Sequence, residues 1–175
     1  MSADAADTQH HRSGPTQAQE DPIDKQVAPT REQEEEVFDS PTGWVAKHVR
    51  SYVETDGRKG HLYHGMPTLL LTTRGRKSGN LRRTALIYGR DGDRYVLVAS
   101  NAGATKHPAW YLNLLGQPNV DVQVGADKFS ARARTASVEE GPRLWQRMAS
   151  IFPQYDRYQK KTDRDIPVVV VERVG

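Results

Sequence analysis

Five basic side chains and no acid fall within residues 72–84 (TTRGRKSGNLRRT): Arg74, Arg76, Lys77, Arg82 and Arg83. A glycine-punctuated turn of this kind places fixed positive charge and backbone N–H groups at a sheet rim, where a polyanion can be held. A solvated basic loop is the plainer reading of the same residues. A second stretch, Val98-Ala99-Ser100-Asn101-Ala102-Gly103-Ala104, leaves an apolar run with small side chains only. It would let a flat ring lie near the backbone, with Ser100 and Asn101 offering hydrogen bonds. Third, His107-Pro108-Ala109-Trp110-Tyr111-Leu112-Asn113 opens a helix, whose free N–H groups favour an anion and whose aromatics can border a ring. Fourth, Phe152-Pro153-Gln154-Tyr155-Asp156-Arg157-Tyr158 sets two tyrosines three residues apart. Trp110 and Tyr111 suit a core as well as a ligand wall, and Tyr155 and Tyr158 suit amphipathic cover over a helix.

Several chemistries are excluded. The chain has no cysteine, so thiol nucleophiles, thiolate metal sites and disulfides are absent. No Gly-x-Ser-x-Gly, P-loop or dinucleotide glycine fingerprint is present. His61 and His64 lack an acidic partner at ligand spacing, and His107 beside Pro108 reads as a surface residue, so no metal site is expected. Hard chemistry would need a borrowed cofactor. Residues 1–36 hold nine acids against three bases, net −6, which leaves +9 on residues 37–175 within a whole-chain charge of +3. The cationic part suits a phosphate- or carboxylate-bearing ligand, a nucleic acid or an anionic membrane surface.

The elements that must position these residues follow from hydrophobic period. Residues 1–36 are too polar to offset their ordering entropy and read as a disordered acidic tail, leaving one domain over 37–175. Ser40-Pro41 signals a helix start; Trp44, Val45, His48, Val49, Tyr52 and Val53 recur at helical spacing. That 40–54 helix packs on the core, or it touches a membrane surface through Trp44, Tyr52, Lys47 and Arg50. Strands are expected at 68–73, 84–90, 94–100, 120–124, 128–136 and 166–172, and short helices at 106–115 and after the capping box Ser137…Glu140. Six strands joined mostly by tight turns, with three helices, predict an α+β fold, an antiparallel barrel with peripheral helices. No signal peptide or ~20-residue apolar span is visible, so a soluble cytoplasmic protein is expected.

Taken in order, LLLTTRGRKSGNLRRTAL, VLVASNAGATKHPAWYLNL, the Pro-x-Val-x-Val-Gln-Val strand and FPQYDRYQKKTDRDIPVVVVE resemble the deazaflavin-dependent nitroreductase family, actinobacterial enzymes that use coenzyme F-420. The likeness runs over residues 67–172. It implies a split β-barrel resembling FMN-binding proteins, and hydride transfer from the reduced deazaflavin to a small-molecule electron acceptor: a quinone, nitroaromatic or activated alkene. It also implies site residues. Arg76, Lys77, Ser78, Arg82, Arg83 and Thr84 would grip the cofactor's phosphate and oligoglutamate tail. Val98, Ala99, Ser100 and Asn101 would lie against the ring, and Ala109, Trp110, Tyr111, Leu112 and Asn113 would complete the pocket. Tyr155 and Tyr158 would line the substrate side, Tyr155 also touching the cofactor. Ser100 with Tyr155 would orient the acceptor or help supply a proton. Phe152 stands where nitro-reducing members carry a tyrosine, Asn101 where Lys is frequent and Ala85 where Pro is frequent.

Other readings remain: an FMN-dependent oxidoreductase of the same fold, a non-catalytic deazaflavin carrier, or a barrel that binds nucleic acid. The last is not expected, because the tyrosines and the basic turn lie far apart and the acidic tail would compete. Oligomeric state is not legible.

Overall fold

Two unbroken apolar runs, Leu69-Leu70-Leu71 and Val168-Val169-Val170-Val171, show how the barrel is built. Successive strand side chains point to opposite faces. Leu69 and Leu71 join one core cluster with Leu97, Val120, Val122, Val169 and Val171. Leu70 packs instead against Val49 and Tyr52. Val168 and Val170 pack with Val96, Leu144 and Met148. A strand apolar on both faces therefore seals the barrel interior with one set and seats an outer helix with the other. Each fully buried leucine or valine contributes about 1.5–3 kcal/mol.

The computed structural model describes residues 35–40 and 43–175, and residues Glu35–Gly175 form one compact unit. In chain order the elements are β1 (Val37–Asp39), α1 (Gly43–Thr55), β2 (Leu62–Tyr63), β3 (Met66–Arg74), β4 (Leu81–Ile87), β5 (Gly89–Asp91) and β6 (Arg94–Val98). A 3-10 turn (Asn101–Gly103), α2 (Ala109–Gly116), β7 (Asn119–Val124), β8 (Asp127–Thr135), α3 (Gly141–Ile151), α4 (Gln154–Lys160) and β9 (Val168–Arg173) follow. The strand order is β1-β4-β3-β7-β8-β9-β6-β5, with β2 pairing β3. All pairs are antiparallel except β1 with β4, so the sheet is mixed. Because β4 runs on through Tyr88 into β5, the ladder leaving β4 returns to the same segment and closes a ring. Gly89 lies at this bend, where an added Cβ would come within 2.6 Å of the Met148 sulfur of α3.

Nine strands and four helices stand among the described residues where the sequence reads as six and three. The expected 84–90 strand breaks at Tyr88, and β1 and β2 are too short to show a period. The expected helix through Phe152 breaks because Pro153 drives the preceding residue out of helical space (Phe152 φ −135°, ψ 91°), and a separate α4 begins at Gln154. Ser137 and Glu140 do make the reciprocal capping bonds, Ser137 N to Glu140 Oε2 at 2.7 Å and Glu140 N to Ser137 Oγ at 3.2 Å.

Of the expected tail, only Glu35 and Glu36 are described, and the Ser40-Pro41 start signal is described only at Ser40. Tyr52 is not available to a membrane. It is fully buried, donates from its hydroxyl to Thr68 O (3.1 Å) and accepts from Gly125 N (2.7 Å). Among the described residues no helix is long and apolar enough to cross a bilayer.

Candidate active site

Antiparallel register pairs Thr73 with Arg82 and Arg74 with Leu81, so the β3–β4 hairpin folds its basic residues into one cluster. Gly75 N donates to Asn80 O (2.7 Å), Gly79 N to Gly75 O (2.8 Å) and Asn80 N to Ser78 Oγ (3.1 Å), which close the turn. The turn is then tied to α2 by Asn113. This buried side chain accepts from Arg76 N (3.1 Å) and donates to Thr73 Oγ1 (3.1 Å). Between turn and helix lies a cavity of about 570 Å³. Arg76, Lys77, Ser78, Arg82, Arg83 and Thr84 line one side, His107, Pro108, Ala109, Trp110 and Asn113 another, with Asn101 at the edge.

The electrostatics favour an anion. Among the described residues Arg76, Lys77 and Arg82 have no ion-pair partner. Tyr111 N and Leu112 N bond to Pro108 O, so among the described residues the N–H groups of Ala109 and Trp110 are the orphan donors of α2 and make up its positive end. Arg83 differs from its neighbours. Its guanidinium holds Asp39 at 2.6 and 3.1 Å, so its charge is already matched. Asp39 belongs to β1, which with Phe38 and Ser40 forms a third wall. The Phe38 ring centre lies 5.4 Å from the Arg82 guanidinium carbon. Glu35 similarly clasps Arg74 at 2.6 and 2.9 Å, and that pairing lowers the Glu35 carboxyl below its ordinary value.

The other expected site residues lie elsewhere. Val98 and Ala99 are buried in the two core clusters, because β6 is paired on both edges and covered on both faces. They form no open shelf on this cavity, and Ser100 does not line it either. Tyr111 is buried, its hydroxyl 2.8 Å from Thr135 Oγ1, and Leu112 is off the wall. Tyr155 is only 5% exposed, packed among Phe152, Trp145 and Tyr158 with ring centres 5.0–6.4 Å apart. Burial, and secondarily the neighbouring Tyr158, pushes its hydroxyl well above the ordinary tyrosine value. Tyr158 is half-buried in the same cluster. α4 meets the cavity's edge through the 3-10 turn: Lys161 Nζ donates to Ala102 O at 3.3 Å, while Asn101 of that turn lines the cavity. Gly103 (φ +80°) lies so close that an added Cβ would fall 2.9 Å from Tyr158 O.

One participant escaped the sequence reading, and another, His107, reads there only as a surface residue. Arg164 donates to Ala104 O (2.8 Å), Ser100 O (2.7 Å) and Ala99 O (3.4 Å), and pins the 99–104 segment from below. It also reaches His107 Nδ1 at 3.0 Å, so His107 is a wall residue with a fixed partner rather than a free surface histidine. Arg164 lies between two aspartates in sequence, which signals a solvated ion pair and conceals this role.

The model for the family described as F420H(2)-dependent quinone reductase matches residues 44–173. The F420H(2)-dependent quinone reductase Rv1261c of Mycobacterium tuberculosis (strain ATCC 25618 / H37Rv) is 39% identical over 143 residues, covering 74% of this chain and 96% of that protein. A solved structure titled F420-H2 Dependent Reductase (FDR-A) is 41% identical with a TM-score of 0.57, covering 61% of this chain and 94% of its own. Another, titled a domain-swapped dimer, is 39% identical with a TM-score of 0.59, covering 76% of this chain and all of the other. With these neighbours the α+β architecture is of the FMN-binding split-barrel type, and the chain belongs to the F420H(2)-dependent quinone reductase family.

Proposed function

We propose that the cavity between the β3–β4 turn and α2 is where this F-420-dependent quinone reductase holds its cofactor and brings a quinone to it. The observation that carries this is a cavity rimmed by three cations without counter-ions among the described residues, next to a helix N-terminus. The fit is chemical: a long polyanionic tail needs several separated charge-assisted donors, and Arg76, Lys77 and Arg82 provide them with the Ser78 and Thr84 hydroxyls. Arg83 serves in part, since Asp39 must share it.

When bound, the reduced deazaflavin supplies a hydride, two electrons in one step. The chain's own contribution is position and electrostatics. Asn113 keeps the turn and helix at fixed separation, Trp110 and Pro108 wall off water, and N–H donors wait for oxygen that gains charge. Ser100 reaches this chemistry through its carbonyl bond to Arg164, and Tyr155 and Tyr158 through α4's contact with the 3-10 turn. Phe152 packs on Tyr155 away from the cavity, so its difference from the tyrosine of nitro-reducing members makes no change on the cavity wall. Nitroaromatics and activated alkenes are secondary acceptors in this reading. Membrane contact through α1 would rest on the exposed Lys47 and Arg50, and retention by anionic but not neutral vesicles is its test.

The central test is fluorescence titration of oxidised F-420 against FMN, followed by menadione reduction. Tight F-420 binding with menadione-dependent oxidation is expected. Preference for FMN, or no oxidation with any quinone, overturns the reading.

A further inference from the structure

His107 sits on the cavity wall beside Asn101 and Ala109, one residue before the Pro108 that caps α2. We propose that His107 is a fixed, neutral hydrogen-bond donor to the quinone oxygen that gains negative charge, with Arg164 as the positioning residue that sets its tautomer. This rests on the reading that the quinone is reduced in this cavity.

The tautomer follows from donor inventory. A guanidinium has only N–H donors, so the 3.0 Å contact of Arg164 Nη1 with His107 Nδ1 requires Nδ1 to carry the lone pair. The ring proton of the neutral imidazole is then on Nε2. Arg164 cannot turn to accommodate the other tautomer, because Nε and Nη2 of the same planar group are held by Ala104 O and Ser100 O at 2.8 and 2.7 Å. Tyr111 packs on the imidazole at 4.9 Å between ring centres, and its own hydroxyl is tied to Thr135. Nε2 has no partner among the described residues, and the ring lines the cavity, which leaves a donor for a ligand oxygen. Burial first, and the adjacent Arg164 charge second, lower the His107 pKa, so the ring stays neutral at neutral pH.

The chemistry is balanced. A quinone that takes up a hydride becomes a hydroquinone monoanion, and one proton from solvent completes the hydroquinone. His107 keeps its own proton: a neutral imidazole is a poor acid but a good donor, and its N–H stabilises the oxyanion as that charge forms.

The test uses the full chain. Long-range proton–nitrogen correlation on histidine-labelled protein without cofactor is expected to show His107 protonated at Nε2 only, a preference lost in Arg164→Met. Protonation at Nδ1, or an imidazolium at pH 7, overturns the proposal. In kinetics, His107→Phe is expected to change F-420 affinity less than about threefold while lowering kcat for menadione roughly 10–100-fold. His107→Gln, which returns an N–H near the Nε2 position, should recover activity to within about fivefold of wild type. Equal turnover by wild type and His107→Phe overturns this inference alone. A wild-type protein that binds no F-420 and reduces no quinone overturns the underlying reading and this one with it.

Discussion

Two arginine-rich regions of this barrel use the same side chain to opposite ends. Around the β5–β6 turn and the start of α3, Arg94, Arg134 and Arg143 are matched by acids: Asp91 accepts from both Arg94 and Arg143, and Glu140 accepts from Arg134 and pairs with Arg94 at 3.5 Å. At the β3–β4 turn, Arg76, Lys77 and Arg82 crowd together with no acid among the described residues to match them. The first cluster is structural, since its charges are consumed within the fold. Like charges held together repel and lower stability; in the proposed reading the three that face one cavity are held for the anionic cofactor. Pairing, rather than composition, separates a scaffold arginine from a binding one.

The sharpest way to break this contrast is to remove one charge from each cluster. Arg82→Ala or Lys77→Ala is expected to weaken F-420 binding about 10–100-fold, or about 1.4–2.8 kcal/mol, with a melting temperature no lower than that of wild type. Fluorescence titration and a thermal melt measure both; equal affinity in both variants ends the cradle assignment. Glu140→Gln should do the reverse, leaving affinity unchanged and lowering stability by about 1 kcal/mol through its lost ion pairs, since Gln keeps the capping-box acceptor. Its sign with pH is fixed. Arg134 first, and the Ser137 N–H next, hold the Glu140 carboxyl at about 2, below the ordinary 4.5. A depressed carboxylate stabilises the fold above pH 4.5, and that contribution is lost as pH falls toward 2. Wild type should therefore lose melting temperature over that window more steeply than Glu140→Gln. Parallel curves would mean that the pair contributes nothing.

The sequence discloses the first-order plan because its signals are contiguous. Leu69–Leu71 and the four valines read as buried strands, and the basic turn, lying within one hairpin, reads as a cradle. What stays hidden depends on pairing across the chain. β1 lies next to an acid-rich stretch, and nothing in three residues announces that they pair with β4. The small-residue segment 98–101 was expected to form a shelf because tiny side chains permit close approach. They do not say which faces the fold will cover, and β6 is covered on both. His107 and Arg164, 57 residues apart, carry no local pattern that joins them.

Asp39 is the intermediate case, an acid set inside the cationic cavity. If pairing is what silences an arginine, releasing Arg83 should recruit it. Asp39→Asn keeps β1's shape and is expected to tighten F-420 binding about two- to fivefold at low salt, with the gain shrinking as ionic strength rises. Affinity that falls instead would show that Asp39 orients Arg83 for the ligand and does not compete with it.

The smallest expected effect tests the boundary of the site. Tyr155→Phe removes one hydroxyl and keeps the ring that packs on Phe152 and Tyr158. That hydroxyl is buried in the α3–α4 cluster and its pKa is raised by burial, so it stays protonated and away from the cavity. Turnover of menadione should therefore stay within about twofold, and F-420 affinity should not move. A tenfold loss of kcat at unchanged affinity would require α4 to lift and present Tyr155 to the acceptor. In that event the reactive end of the cavity lies at α4, and the 3-10 turn with Gly103 beneath Tyr158 is the hinge that brings it there.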